Sequence, residues 1–195
     1  MNSEPPVVVA IAGPNGAGKS TFYSSQLAPA NRVFVNADVL AAELGLGPYE
    51  AAELAENLRQ TLLAAGESFV FETVFSDPEG AKLAFLEKAV KLGYEVTLCY
   101  IGLSSAEASQ ERVAMRVSQG GHDIPDHKLE ARFPRTLVNL QKAIQRLPEV
   151  RVYDNSDLRA PYRLVACFHS GKASQIYPPI PDWLSGFIAD GPETP

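Results

Sequence analysis

Eight residues, Gly13-Pro-Asn-Gly-Ala-Gly18-Lys19-Ser20, have the types and spacing best suited to chemistry. A glycine, four residues and then Gly-Lys-Ser suits a backbone loop wrapped around a polyphosphate. Gly16 and Gly18 allow backbone conformations closed to other residues. The amides of Gly13, Asn15, Gly16, Ala17, Gly18 and Lys19 can then converge on phosphate oxygens at the positive end of a helix. Lys19 would reach the β- and γ-phosphates, Ser20 would place its hydroxyl on Mg²⁺, and Thr21 would reach the α-phosphate. The implied cofactors are ATP, or GTP, and Mg²⁺. A plain Gly-rich turn capping a helix is the bland alternative.

Four further groups carry chemistry. Asp38 follows a short apolar run and would accept a proton from an acceptor hydroxyl, or else Asn36 or Asp38 simply caps a helix. Glu72 and Thr73 end another apolar run, an unfavourable place for a carboxylate without a partner. Glu72 there orients Mg²⁺ or water as a Walker-B-like carboxylate, or makes a structural ion pair. Arg112 and Arg116 share one helical face, Arg132 and Arg135 another, and Gly120-Gly121 lies between them. Such pairs suit a lid that neutralises a transferring phosphoryl group, or a solvated surface, with Arg116 and Arg132 the preferred pair. His122 and Asp123 receive no chemistry. Asn155 would touch the nucleoside, or form an Asx turn with Asp154.

The elements that must position these residues follow from pattern. Val7 to Ala12 is a continuous apolar run, expected of a strand buried on both faces of a parallel sheet. Further strands are expected at 32–35, 68–71, 94–101 and 150–153. Helices are expected at 19–27, 37–44, 49–65, 106–117 and 126–147, the last disturbed at Pro134. Another should start after Asp77 as N-cap with Pro78 at the first helical position, and end at Gly93. Residues 162–177 read as an antiparallel hairpin turning at Ser170-Gly171, with a short helix near Trp183. Alternating strands and helices imply right-handed crossovers: an α/β three-layer sandwich of the P-loop type, with a mostly parallel five-stranded sheet, a Gly-rich lid and a C-terminal hairpin. The chain reads as a single domain over 1–195, with a core of about 7–155, an extension of about 156–188 and a loose tail at 189–195.

Composition narrows the class. At 195 residues, 46% hydrophobic and 21% charged, the chain can bury its own core. A net charge of −6 disfavours nucleic acid and anionic membrane as partners. Cys99 and Cys167 sit in separate apolar runs and read as buried free thiols suited to a reducing compartment. The N-terminus lacks a signal-peptide pattern, so a cytoplasmic location is expected.

The phosphate loop also resembles that of transporter-type ATPases. Their Leu-Ser-Gly-Gly-Gln signature is absent, however; Ser118-Gln-Gly-Gly121 only scrambles it. The sequence resembles instead the zeta-toxin family of P-loop kinases over roughly 7–155. The blocks that carry the likeness are Val35-Asn-Ala-Asp38, Phe71-Glu-Thr73, Arg112 with Arg116 before Gly120-Gly-His-Asp-Ile-Pro125, Arg132 with Arg135, and Tyr153-Asp-Asn155. That resemblance implies transfer of the γ-phosphoryl group of ATP, with Mg²⁺, to the 3′-hydroxyl of the amino sugar in UDP-N-acetylglucosamine. It implies Asp38 as base and Glu72, Thr73, Arg112 and Arg135 as substrate ligands. It also implies a small helical antitoxin covering the ATP site. A kinase for another small metabolite, a nucleotide-gated switch module and a nucleic-acid end kinase are the other readings.

Overall fold

A computed structural model of the chain describes residues 4–120 and 124–188. The first strand, β1 (Val7–Ala12), is followed by the glycine-rich loop and a helical segment, α1 (Lys19–Phe22), which widens into a π-turn at Tyr23–Leu27. Then come β2 (Val33–Val35), α2 (Ala37–Leu44), α3 (Pro48–Ala65), β3 (Phe69–Thr73), α4 (Ala81–Lys91), β4 (Glu95–Gly102) and α5 (Ala106–Ser118). The chain continues through α6 (Asp126–Arg146), β5 (Glu149–Asp154), β6 (Arg163–His169), β7 (Lys172–Ile176) and α7 (Asp182–Ser185).

The strands form one sheet in the order β2-β3-β1-β4-β5-β6-β7. The first five are parallel; β6 and β7 are antiparallel additions. This corrects the expected five-stranded sheet. The C-terminal hairpin is not a separate appendage, because β6 uses the free edge of β5 and brings β7 with it, giving seven strands.

Side-chain alternation explains why the central strands read as unbroken apolar runs. Val8, Ala10 and Ala12 of β1 and Val96, Leu98 and Tyr100 of β4 enter one core, together with α3, α4 and α6. Val9, Ile11, Cys99 and Ile101 enter the other, with Phe22 and Phe133. Both faces are covered, so every position of β1 is apolar, and in β4 only Glu95 and Thr97 depart from the pattern. Tyr100 is wholly buried, and its hydroxyl is paired with Thr136 Oγ1 at 2.8 Å, tying α6 to the sheet. Cys99 and Cys167 are buried free thiols, and burial pushes Cys99 up to about 12.

The helix after β3 also differs from expectation. It begins at Ala81 with Gly80 as its N-cap, so Asp77 is not the cap and Pro78 is not its first residue. Asn139 of α6 donates to the carbonyls of Phe75 and Asp77, both at 2.9 Å, and holds this stretch as a loop. Pro134 sits inside α6 without ending it. Gly121, His122 and Asp123 of the expected Gly-rich lid, and the expected tail at 189–195, lie outside the described residues. Among the described residues no helix is long and apolar enough to cross a membrane.

Candidate functional site

The phosphate loop, Asp38, Glu72 and Thr73 lie at the carboxyl ends of β1, β2 and β3, where open α/β sheets bind ligands. The glycine-rich loop leaves β1 between its neighbours β3 and β4. Gly16 and Gly18 have φ of 73° and 83°, as the sequence required. A Cβ on Gly18 would lie 2.7 Å from the Tyr162 hydroxyl, so no side chain fits there.

The loop's carbonyls are held one after another. Lys19 Nζ donates to Pro14 O at 2.9 Å, Ser109 Oγ to Asn15 O at 2.7 Å, Asn155 Nδ2 to Ala17 O at 2.9 Å and Tyr162 Oη to Gly18 O at 2.9 Å. In a planar trans peptide the N–H points opposite the C=O. Fixing the carbonyls of Asn15, Ala17 and Gly18 outward therefore turns the amides of Gly16, Gly18 and Lys19 to the opposite side, toward the hollow of the loop. Ser109 and Tyr162 were not marked by any sequence pattern. Tyr162 packs edge-on against Phe22, and burial raises its hydroxyl above its ordinary value.

Lys19 is buried, and burial lowers its ammonium below the ordinary value against the opposing pull of Glu72 and Asp38; Arg116 adds to the lowering. Glu72 is the hub of the site. Its carboxylate accepts from Ser20 Oγ at 2.7 Å and from Asn36 Nδ2 at 2.8 Å, and lies 3.8 Å from Lys19 Nζ. The Asn36 side chain also caps α2, accepting from the amides of Asp38 and Val39. Capping thus belongs to Asn36, and the exposed carboxylate of Asp38 is left facing the crevice.

Beside the loop opens a cavity of about 460 Å³. Asn36, Asp38, Glu72 and Thr73 line one end, and Arg59, Asp77, Lys82 and Arg132 contribute elsewhere. Of the four arginines singled out in the sequence, Arg132 lines this cavity and Arg116 lies near Lys19. Arg112 instead donates to the carbonyls of Asn155 and Ser156, bracing the nucleotide end rather than the cavity. Arg135 is exposed and is not among the cavity-lining residues. Asn155 spends its side chain on the loop backbone and on the Tyr162 amide. Thr21 begins the second half of α1 and is exposed.

Ser20 and Glu72 offer hard oxygen donors side by side, which fits a Mg²⁺ that arrives with a nucleotide and takes few protein ligands. Among the described residues no group of three or more His, Cys, Asp and Glu could hold a metal ion. A nucleotide-borne Mg²⁺ needs none.

A family model described as Zeta toxin matches residues 47–163, more than half of the chain. An uncharacterized protein of Haemophilus influenzae is 27% identical over 126 residues, covering 62% of this chain and 88% of that protein. Among solved structures, a chain of the AvrRxo1-ORF1:-ORF2 complex with ATP superposes with a TM-score of 0.66 at 20% identity, covering 87% of this chain and 60% of that one. A chain of the PezAT chromosomal toxin-antitoxin system of Streptococcus pneumoniae gives 0.60 at 19% identity, covering 86% and 73%. At such identities the likeness speaks for the fold. The chain spans less than two thirds of the AvrRxo1 chain's length.

Proposed function

The chain belongs to the zeta toxin family, and from that premise we propose that it is a P-loop phosphotransferase moving the γ-phosphoryl group of ATP to a hydroxyl of a small acceptor. The observation that carries this reading is the juxtaposition at one sheet edge of the phosphate loop, the buried Lys19 and a cavity in which Asp38 has no capping duty. A loop alone would suit any nucleotide switch. The adjoining cavity, with a carboxylate at its mouth, is what a transferase needs.

In this reading the amides of Gly16, Gly18 and Lys19 hold the phosphates, and Lys19 and Arg116 stabilise charge on the γ-phosphoryl group. Ser20 and Glu72 would hold Mg²⁺, which neutralises phosphate charge when bound. The acceptor's hydroxyl oxygen bonds to the γ-phosphorus, the bond from that phosphorus to the β–γ bridging oxygen breaks, and ADP leaves. The hydroxyl proton passes to the Asp38 carboxylate. Thr73 and Arg132 line the acceptor's side, and Arg112 and Asn155 brace the nucleotide's.

The acceptor we favour, on the family resemblance, is the amino sugar of UDP-N-acetylglucosamine at its 3′-hydroxyl. A small helical antitoxin covering the nucleotide crevice is the partner we propose; a neighbour in fold comes from a toxin-antitoxin system. The test is ATP consumption with Mg²⁺, with and without the sugar nucleotide, following its mass for an added phosphate. A phosphorylated product supports the kinase and its acceptor together. ATP binding without transfer to the sugar nucleotide or to a panel of hydroxylated metabolites would reduce the protein to a nucleotide-binding module.

A further inference from the structure

The cavity contains two groups that transfer of a phosphoryl group does not use. Both carboxylate oxygens of Asp77 are shielded from water and make no hydrogen bond, and the same holds for Arg59 Nε. Arg59 is 4% exposed. Its Nη2 is bonded to Glu56, and its guanidinium lies over the Phe71 ring, 5.2 Å from the centroid. Asp77 and Arg59 line the same cavity yet are not bonded to each other. Buried polar groups without partners are rare in folded proteins and call for an explanation.

The loop that presents Asp77 is held in place rather than slack. Phe75 is fully buried with φ of 62°, a region bulky residues avoid. Thr73 Oγ1 accepts its amide at 3.1 Å, and Asn139 secures the carbonyls on either side of Ser76. Three side-chain bonds thus maintain an unfavourable backbone whose product is a carboxylate at the cavity wall.

We propose that Asp77 and Arg59 form the acceptor-selecting subsite of this cavity, reading a polyhydroxylated ring by two adjacent hydroxyls on Asp77 and a ring, carbonyl or phosphate oxygen on Arg59. The chemistry selects this class by exclusion. Asp77 accepts only and Arg59 donates only. A simple anion would meet the unpaired carboxylate, and a simple amine the buried guanidinium. A polyol offers donors and acceptors together and satisfies both. Neither set of orphan atoms meets bulk water, so they gain partners when a molecule enters and the side chains turn to it.

This rests on the cavity being the acceptor site, and the experiment separates the two claims. Ligand-observed saturation-transfer NMR is recorded on wild type, Asp77→Asn and Arg59→Lys, with glucose, N-acetylglucosamine and ribose, each beside a deoxy analogue lacking one of two adjacent hydroxyls. Phosphate transfer to the same probes is measured in parallel, and thermal melting verifies folding. The expected result is binding to wild type that weakens about tenfold or more on loss of either hydroxyl or in either variant, with ATP affinity unchanged. If that pattern appears but neither these probes nor UDP-N-acetylglucosamine is phosphorylated, the subsite stands and the kinase reading falls. If transfer proceeds with the same acceptor KM in both variants, the subsite is overturned while the kinase stands. Absence of binding by every probe to the wild type also overturns it.

Discussion

Replacing Asn155 by alanine tests whether the phosphate loop is shaped from outside. The Asn155 side chain makes two hydrogen bonds in a site 3% exposed: Nδ2 donates to Ala17 O at 2.9 Å, and Oδ1 accepts the Tyr162 amide at 3.2 Å. Ala17 is fully buried, so its carbonyl finds no water when the amide is removed. Each bond contributes about 1 kcal/mol net, and a stranded buried group costs about 1–3 kcal/mol. The variant should lose roughly 2–4 kcal/mol of stability. For a chain of this size that lowers Tm by roughly 5–15 °C.

The functional effect should exceed the structural one. The Ala17 carbonyl and the Gly18 amide share one peptide plane, so freeing the carbonyl lets the amide swing out of the hollow. ATP affinity, measured by calorimetry well below the variant's Tm, should fall about tenfold. Arg112 bonds to the main-chain oxygen of Asn155, which the substitution keeps, so the loss cannot be charged to the arginine. Tyr162→Phe, which removes the bond to Gly18 O, should weaken ATP binding in the same direction with a smaller change in Tm. An alanine variant that melts within about 1 °C of wild type and binds ATP unchanged would refute the argument that these side chains orient the loop amides.

Asp38→Asn should retain ATP affinity and lower acceptor-dependent transfer about 10²- to 10⁴-fold; normal transfer would remove Asp38 as the base. Lys19→Met should abolish turnover. Because Lys19 has a lowered pKa, the unfolded state binds its proton more tightly. Relative to that variant, wild-type stability should therefore rise as pH climbs toward 10.5, read by urea unfolding at several pH values, and a flat difference would contradict the burial assigned to it. Glu56 presents the opposite sign. Burial would raise its carboxyl, but bonds from Lys82, Gln60 and Arg59 together hold it at about 2. Its stabilising effect is complete above the ordinary value of 4.5 and fades as pH falls toward 2. Glu56→Gln should be destabilised at neutral pH, with the gap from wild type closing in acid, and a gap constant down to pH of about 2 would discount the network.

What the sequence disclosed follows from the range over which each feature is determined. The β1 run was legible because both faces of a central parallel strand are apolar, a local property. The β6–β7 hairpin was legible as a hairpin for the same reason, but its docking on β5 was not, since that depends on an edge left free by the rest of the sheet. Asp77 misled as a helix cap because Asp-Pro is a sound local start signal; Asn139, far along the chain, overrides it. Ser109 and Tyr162 reach the loop across separations of 94 and 144 residues, and no spacing rule could have found them.

The same distinction divides the two halves of the site. Phosphates are read by backbone amides, so one contiguous stretch with glycines at fixed positions suffices, and it serves many unrelated proteins equally. In the proposed reaction the acceptor would be read by side chains from α2, α3, β3, α4, α6 and the loop between β3 and α4, which line one cavity and whose positions relative to one another appear only in the fold. The matched family segment begins at residue 47, beyond the phosphate loop and Asp38, and spans the stretch that supplies Arg59, Glu72, Thr73, Asp77, Lys82 and Arg132. On the proposed reading, changes at Arg59, Thr73 or Asp77 should alter which molecule is phosphorylated while leaving the handling of ATP intact, whereas changes at Glu72, Asn155, Tyr162 or Lys19 should weaken the reaction with every acceptor alike.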